Sequence, residues 1–457
     1  MTVEHDALRT NLGPVGAWTF AFDSRSVRDL TQDAVDIQNL GYPTLWIPEG
    51  GGSRDVLTHL GLLLAATDRL TVASGIANIT ARQPEVLEAG LITLADAYGD
   101  RLVPGIGIGH EYTTESRGVE WSKPLARMRT YLDRMDGASD RWPAPAVPPR
   151  RMLAALGDGM LRLSAERAFG AHTYFVPVEH TVRARQVLGP EPVLAVEQGV
   201  ILAGNPARAH ELARGWAKHY LELPNYANNW RRMGYGDDLD GGGSDRLVDA
   251  AIAWGGVDSV LARVRAHLDA GADHVCVQIV GDADDASPVP ALRELAPALL
   301  ALQSDTPGPA ELAATLRVAR DHLVQTAERN SNERWTTVPE GNDQDLRPVN
   351  VLVDHVADAY EYIGVWVREL VGGSSPSVDA ELIDRLNSEH SARAANVTGP
   401  VAIEHLTSAG DAFIEFLRTL ELEHLDLEGG RVRRFAEIVI RHTNDHRVQI
   451  EGTGLGG

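Results

Sequence analysis

From the amino terminus to about residue 305 the chain alternates short apolar, β-branched runs with longer stretches of helical period. Strand runs begin at GAWTF (16), TLWIPE (44), LTVASGIAN (70), LVPGIGIG (102), RMLAALG (151), AHTYFVP (171), VLAVEQGVIL (193) and HVCVQIV (274). Most are followed by an amphipathic segment. SVRDLTQDAVDIQNLG, for example, sets Val27, Leu30, Ala34, Ile37 and Leu40 on one stripe and stops at Gly41. Eight such units predict an α/β fold, a (β/α)8 TIM barrel, with an open doubly wound sheet as the alternative. One stretch, LPNYANNWRRMGYGDDLDGGGSDRLVD (223–249), is aromatic, glycine-rich and longer than an ordinary connection. It reads as an active-site lid or as a tolerated insertion.

The pattern changes at LQSDTPGPAEL, where Pro307, Gly308 and Pro309 mark a linker. Beyond it no strand run occurs. PAELAATLRVARDHLVQTAER, VNVLVDHVADAYEYIGVWVREL, PVAIEHLTSAGDAFIEFLRTL and RVRRFAEIVIRHTNDHRVQI each carry apolar residues at helical spacing, which predicts an all-α four-helix bundle. The expected domains are therefore 1–305 and 306–457.

Composition narrows the partners. A formal net charge of −22 argues against general affinity for nucleic acid or an anionic membrane. Cys276 is the only cysteine, so an internal disulfide framework or a cysteine-rich zinc site is excluded, as suits a reducing cytoplasm. No secretion signal or run of about 18 apolar residues is visible.

In a barrel of this type ligands sit at the carboxyl ends of the strands. The residues there are Trp18 and Phe20, Trp46 and Glu49, Gly75 to Asn78, Gly107 to Glu111, Gly157 and Asp158, His172 and Tyr174, Gln198 and Gln278. Aromatic and glycine positions suit a flat ring system across the barrel mouth. Ser74, Gly75 and Ala77 are small where a buried strand would carry bulk; read alone, they mark a strand that ends in a turn. GIGIGH and LGDGMLRLSAERA could each turn backbone amides toward an anion.

Taken together and in order, GAWTF, GYPTLWIPE, ASGIANI, GIGIGHE, LAALGDGMLRLSAERAFGAHTYFVPVEHT, LPNYANNWRRMGY and HLDAGADHVCVQI resemble the luciferase-like superfamily of flavin and deazaflavin oxidoreductases, specifically its actinobacterial coenzyme F420-dependent branch. The resemblance implies hydride transfer between F420 and a small-molecule substrate, with an FMN monooxygenase as the alternative. It also implies a bulge with a non-proline cis peptide at the end of the third strand, placed at Gly75–Ala77, where Ser74, Gly75, Ile76, Ala77 and Asn78 back the cofactor ring. Trp18, Trp46, Gly107, Gly109 and His172 join that cofactor set. Gly157, Asp158, Gly159 and Met160 are its phosphate loop, with Arg162 and Arg82 as charge partners. His110 and Glu49 are the candidate proton carriers. Family members with a carboxylate after the fourth-strand glycines differ here, where His110 stands in its place with Glu111 next.

In the last helix pattern His442 and His446 lie one turn apart on one face, and His355 sits among Val351, Leu352 and Val356 on the second pattern. This region resembles the DinB-like superfamily, which includes mycothiol-dependent maleylpyruvate isomerases. The resemblance implies a divalent metal, zinc by default, on His355, His442 and His446, the last followed by Arg447 and Gln449. With no cysteine in the segment, a thiol-dependent reaction would draw on an external low-molecular-weight thiol. The expected protein is a cytoplasmic homodimeric oxidoreductase with an appended metal site. A bundle serving only for binding or dimerisation is the further alternative.

Overall fold

The computed structural model describes residues 2–281, 286–302, 308–329, 334–339 and 347–451. The chain divides into two compact units, Val3–Asp305 and Thr306–Gly457.

The first unit is built on parallel strands: β1 (Val15–Trp18), β2 (Thr44–Ile47), β3 (Thr71–Ser74), β4 (Ala77–Asn78), β5 (Leu102–Val103), β6 (Gly105–Gly107), β7 (Met152–Ala154), β8 (Gly170–Thr173), β9 (Val193–Ile201), β10 (Ile252–Trp254) and β11 (His274–Ile279). Their pairing runs β4-β6-β7-β8-β9-β11-β1-β2-β3-β5, with β10 on the flank of β9. Two of the eight expected strands are split. Gly75 and Ile76 separate β3 from β4, and Pro104, which has no N–H to offer a ladder, separates β5 from β6. Because β3 pairs with β5 and β4 with β6, the ring closes into a barrel.

Helices cover the outside as the spacing predicts. Val27–Leu40 is capped by Ser26, whose Oγ accepts the Asp29 amide at 3.2 Å, and ends on Gly41 at φ +101°. Leu30, Ala34 and Ile37 of that helix are buried in the layer between helices and strands. Inside the barrel a separate cluster joins Trp18, Trp46, Ala73, Val103, Met152, Val193, Ala195 and Cys276. Leu8 and Leu12 of an amino-terminal helix, Thr2–Leu12, complete it. That helix and β10 were not expected. The 223–249 stretch is largely helical: Pro224–Arg232 is followed by two 3-10 turns, Gly236–Asp238 and Asp240–Gly242, and by the start of Asp245–Ala251.

The second unit is helical. Pro309–Glu328 and Val349–Val371 each pack against both Gly399–Arg418 and Leu427–Glu451, the last containing positive-φ residues at 428–430. An additional helix, Ala380–Arg393, packs beside Val349–Val371; its weakly amphipathic sequence had given no expectation. Among the described residues no helix is long and apolar enough to cross a membrane.

Candidate functional site

The mouth of the barrel is organised by the break between β3 and β4. The Gly75–Ile76 peptide is cis, within the stretch where a bulge was expected. Three alternating glycines opposite it have a geometric reason. A Cβ on Gly105 would fall 2.0 Å from the Ser74 carbonyl oxygen. One on Gly107 would meet Ile76 at 2.5 Å, and one on Gly109 would meet the Asn78 side chain at 2.1 Å. Each glycine therefore makes room for one part of the bulge, and Gly109 also sits at φ +74°. Ser74 stitches the same seam, its Oγ donating to the Gly105 carbonyl at 2.9 Å and accepting the Gly105 amide at 3.0 Å.

Gly75 is packed closely against two aromatic side chains of the lumen. A Cβ there would come 2.6 Å from Trp18 Nε1 and 3.1 Å from His172 Nε2. Trp18 Nε1 and both ring nitrogens of His172 are buried without a hydrogen-bond partner of normal geometry. His172 stacks on Trp46 at 4.4 Å, and burial pushes its pKa down to about 3, so the ring is neutral. Trp46 is held from below, donating through Nε1 to His274 Nε2 at 3.0 Å. Trp18, Trp46, Gly75 and His172 thus meet around one point.

Glu49 is also buried beside the bulge, but its carboxylate is fully engaged. Oε2 accepts the Asn78 amide at 2.8 Å and Arg82 Nη1 at 2.9 Å, while Oε1 pairs with Arg82 Nη2 and the Val56 amide. Arg82 continues to Asp55 at 2.9 Å, so this arginine braces the bulge. His110 precedes the short helix Glu111–Ser116 and stacks on Tyr112 at 5.8 Å, with Tyr226 at 5.6 Å. Burial lowers its pKa, Asn225 opposes the shift through a hydrogen bond, and nearby His219 adds to it.

Gly157 caps helix Asp158–Arg167, as the sequence suggested. Asp158 is bound bidentately by Arg183 at 3.0 and 2.9 Å, with Arg162 at 3.8 Å. Arg232, reaching from helix Pro224–Arg232, lies 3.8 Å from the Cβ position of Gly157. Arg183 and Arg232 are therefore the cations at this helix start together with Arg162.

In the helical unit, His355, His442 and His446 each offer a ring nitrogen within 4.8 Å of the other two. Their ring centroids are 4.5 to 5.4 Å apart. Nδ1 of His355 and Nε2 of His442 are buried without partners, and Gln449 Oε1 lies 2.9 Å from His446 Nδ1. Burial and the neighbouring imidazoles push His355 and His442 well below the usual histidine range.

A family model described as luciferase-like monooxygenase matches residues 14–274. The chain belongs to this family. It is 26% identical over 203 residues, 43% of its length and 53% of the relative's, to a protein of Mycobacterium tuberculosis described as a coenzyme F420-dependent oxidoreductase. It is 26% identical over 151 residues, 29% of its length and 45% of the relative's, to the 5,10-methylenetetrahydromethanopterin reductase of Archaeoglobus fulgidus. The chain thus spans about half the length of these curated relatives. Among solved structures, an F420-dependent secondary alcohol dehydrogenase in complex with an F420-acetone adduct has the same fold, with a TM-score of 0.52 and 12% identity over 63% of this chain and 98% of the other.

In this luciferase-like barrel some residues differ from their expected placement. Gln198 was expected at the mouth, yet it faces outward, its Nε2 donating to the Ala251 carbonyl at 3.0 Å and its Oε1 3.0 Å from His267 Nε2. Its neighbour Glu197 points inward instead. Strand alternation contained that signal, since Val193 and Ala195 of the lumen share its parity. Glu197 is 1% exposed, and burial raises its pKa to about 8 against one hydrogen bond from the Phe175 amide at 3.0 Å. Tyr174 donates to Gln278 Oε1 at 2.9 Å and lies 2.8 Å from the Tyr220 hydroxyl; its single proton being used, Tyr220 is the donor of that pair. Of the lid residues, Tyr226, Asn229 and Trp230 are buried in an aromatic cluster, whereas Asn228 and Arg231 are exposed and bonded to each other at 2.9 Å.

Proposed function

We propose that the barrel is a coenzyme F420-dependent oxidoreductase that moves a hydride between the deazaflavin and a small organic substrate. The observation that supports this reading is the break between β3 and β4 at the barrel mouth, where Gly75 lets Trp18 and His172 close onto the backbone and the buried Trp18 Nε1 is left without a partner. A flat, heteroatom-rich ring suits such a wall, because a Cβ at residue 75 would push Trp18 and His172 out of it and the buried Trp18 nitrogen calls for a polar atom. Ser74, Gly75, Ile76, Ala77 and Asn78 would back the ring, with Trp18, Trp46 and His172 beside it. The Gly157–Met160 helix start and Arg183, Arg232 and Arg162 would hold the anionic tail. Gly107 and Gly109 contribute by letting the bulge close.

F420, when bound, supplies a carbon centre that accepts or gives hydride. His110, kept neutral by burial, is the group that takes the substrate hydroxyl proton on oxidation and returns it on reduction. Glu49, held by Arg82 and two backbone amides, acts as a brace for the bulge and not as a proton carrier. Tyr220, Tyr174 and Gln278 form a directed chain of hydrogen bonds at the mouth, which aligns the aromatic wall on the substrate side.

For the second unit we propose a DinB-like metal-binding bundle in which His355, His442 and His446 hold one divalent ion, zinc by default. Three imidazole ligands leave a coordination position open, and Gln449 fixes the His446 ring as an outer partner should.

Parallel fluorescence titrations of the full chain with F420 and with FMN test the barrel assignment. Tight F420 binding with weak FMN binding is expected. Preference for FMN would overturn it, place an oxygen-consuming monooxygenase first, and make a reductase partner necessary.

A further inference from the structure

Beside the three histidines the helical unit carries a second set of donors. Asp354 and Asp358 stand one turn apart on helix Val349–Val371, so their side chains share a face. His390 of helix Ala380–Arg393 closes against them, and one ligand atom from each of the three lies within 4.8 Å of the other two. Asp354, Asp358 and His390 are 7%, 1% and 0% exposed. Two carboxylates one turn apart in a protein interior repel each other and lose hydration, a cost that only nearby positive charge offsets.

The hydrogen bonds divide each carboxylate into an outer and an inner oxygen. Asp354 Oδ1 faces outward to His405 Nδ1 at 2.8 Å, and His405 in turn lies 3.4 Å from Glu361. The hydrogen bond and charge of Asp354 raise the pKa of His405. Asp354 Oδ2 faces inward, 3.1 Å from His390 Nε2. Asp358 Oδ2 is the outer oxygen, accepting from Tyr362 at 3.0 Å and pairing with Arg393. Asp358 Oδ1 and His390 Nδ1 are both buried with no partner at all. Ligating carboxylates held by hydrogen bonds on their far oxygen are the usual outer-shell arrangement of a metal centre.

We propose that Asp354, Asp358 and His390 form a second divalent-cation site, adjoining the three-histidine set, so that the helical unit takes up two ions. The two sets adjoin through His355, which follows Asp354 in the chain and whose ring lies 5.3 Å from that of His390. Their chemistry differs. Three imidazoles favour zinc or nickel, whereas two carboxylates and one imidazole also accept harder ions such as manganese. Arg393 pairs with the outer oxygen of Asp358 and so leaves Oδ1 available to an ion. The site does not depend on the three-histidine reading, since it shares no ligand with it.

The test is a metal count on the full chain, stripped with chelator, re-equilibrated with Zn2+, desalted and measured by plasma mass spectrometry. Two zinc ions per chain are expected for the unsubstituted protein, and one for Asp358→Asn. His442→Ala should also hold one, which tests the three-histidine set alone. An Asp358→Asn chain with native circular dichroism that holds as many ions as the unsubstituted protein, whether one or two, would overturn the second site, whereas a count of one that Asp358→Asn lowers to none would leave it standing and count against the three-histidine set.

Discussion

Glu197 is a carboxyl group buried in a barrel lumen with one oxygen bound to the Phe175 amide and the other, Oε1, without a partner. Desolvation favours its neutral form and raises its pKa to about 8. Between its unfolded pKa, near 4.3, and about 8 the native state holds a proton that the unfolded chain has released. Stability contributed by this site is therefore present below that window and lost as pH rises through it. Glu197→Gln keeps an oxygen for Phe175 and cannot ionise, so its melting temperature relative to the parent should climb between pH 5 and pH 8.5. A gain of roughly 2–4 °C for each kcal/mol recovered is the scale to expect from scanning calorimetry. A constant offset across that range would mean that Glu197 is charged in the native lumen.

At the scale of elements, the strand pair β3/β4 and β5/β6 depends on a one-to-one match between glycines and bulge residues. Gly107 is the most informative position, since a Cβ would meet Ile76 at 2.5 and 2.6 Å and Ala154 at 3.1 Å on a buried face. Gly107→Ala should cost about 1–3 kcal/mol of stability, the usual effect of overpacking. It should also weaken F420 binding markedly, because Ile76 can give way only by moving the wall that backs the ring. Gly204→Ala, with nothing within 4 Å of its Cβ position, is the control and should leave both unchanged. Equal F420 affinity in Gly107→Ala and the parent would show that the bulge does not touch the cofactor.

Among the described residues the buried apolar clusters divide between the units, three of them in the barrel and its helices and one confined to Leu312–Ile450. Chemistry placed in one unit should then survive loss of the other's ligand. Metal removal with a chelator is expected to lower the melting temperature of the helical unit, whose buried imidazoles lose their partner, while the F420 titration of the barrel stays as it was. Re-addition of zinc should restore the melting temperature in a concentration-dependent way. An F420 affinity that changes with metal content would reveal coupling between the units.

Much of the architecture was legible in the sequence because periodicity reports directly on which face of an element is buried. Eight strand runs, the helical stripes and the change of pattern near residue 305 all follow from that rule. That His442 and His446 share a helix face was legible from their spacing of four residues, whereas His355 was grouped with them only through the family resemblance. Other features required the folded chain. The glycines of GIGIG were read as amide donors, yet their first task is to make space for Ser74, Ile76 and Asn78, about 30 residues earlier in sequence. Gln198 and Glu197 exchange places because alternation along β9 gives Glu197 the parity of Val193 and Ala195, and the folded barrel shows that this parity faces the lumen. Arg183, Arg232 and His390 had no motif to announce them. Each gains its meaning from groups on other elements: Asp158 and Gly157 for the arginines, and the Asp354–Asp358 face for His390. The sequence by itself determined which surfaces must be buried and at what spacing. The tertiary structure alone decided which polar atoms, once buried, are left facing one another without partners, because that depends on contacts between residues far apart in the chain.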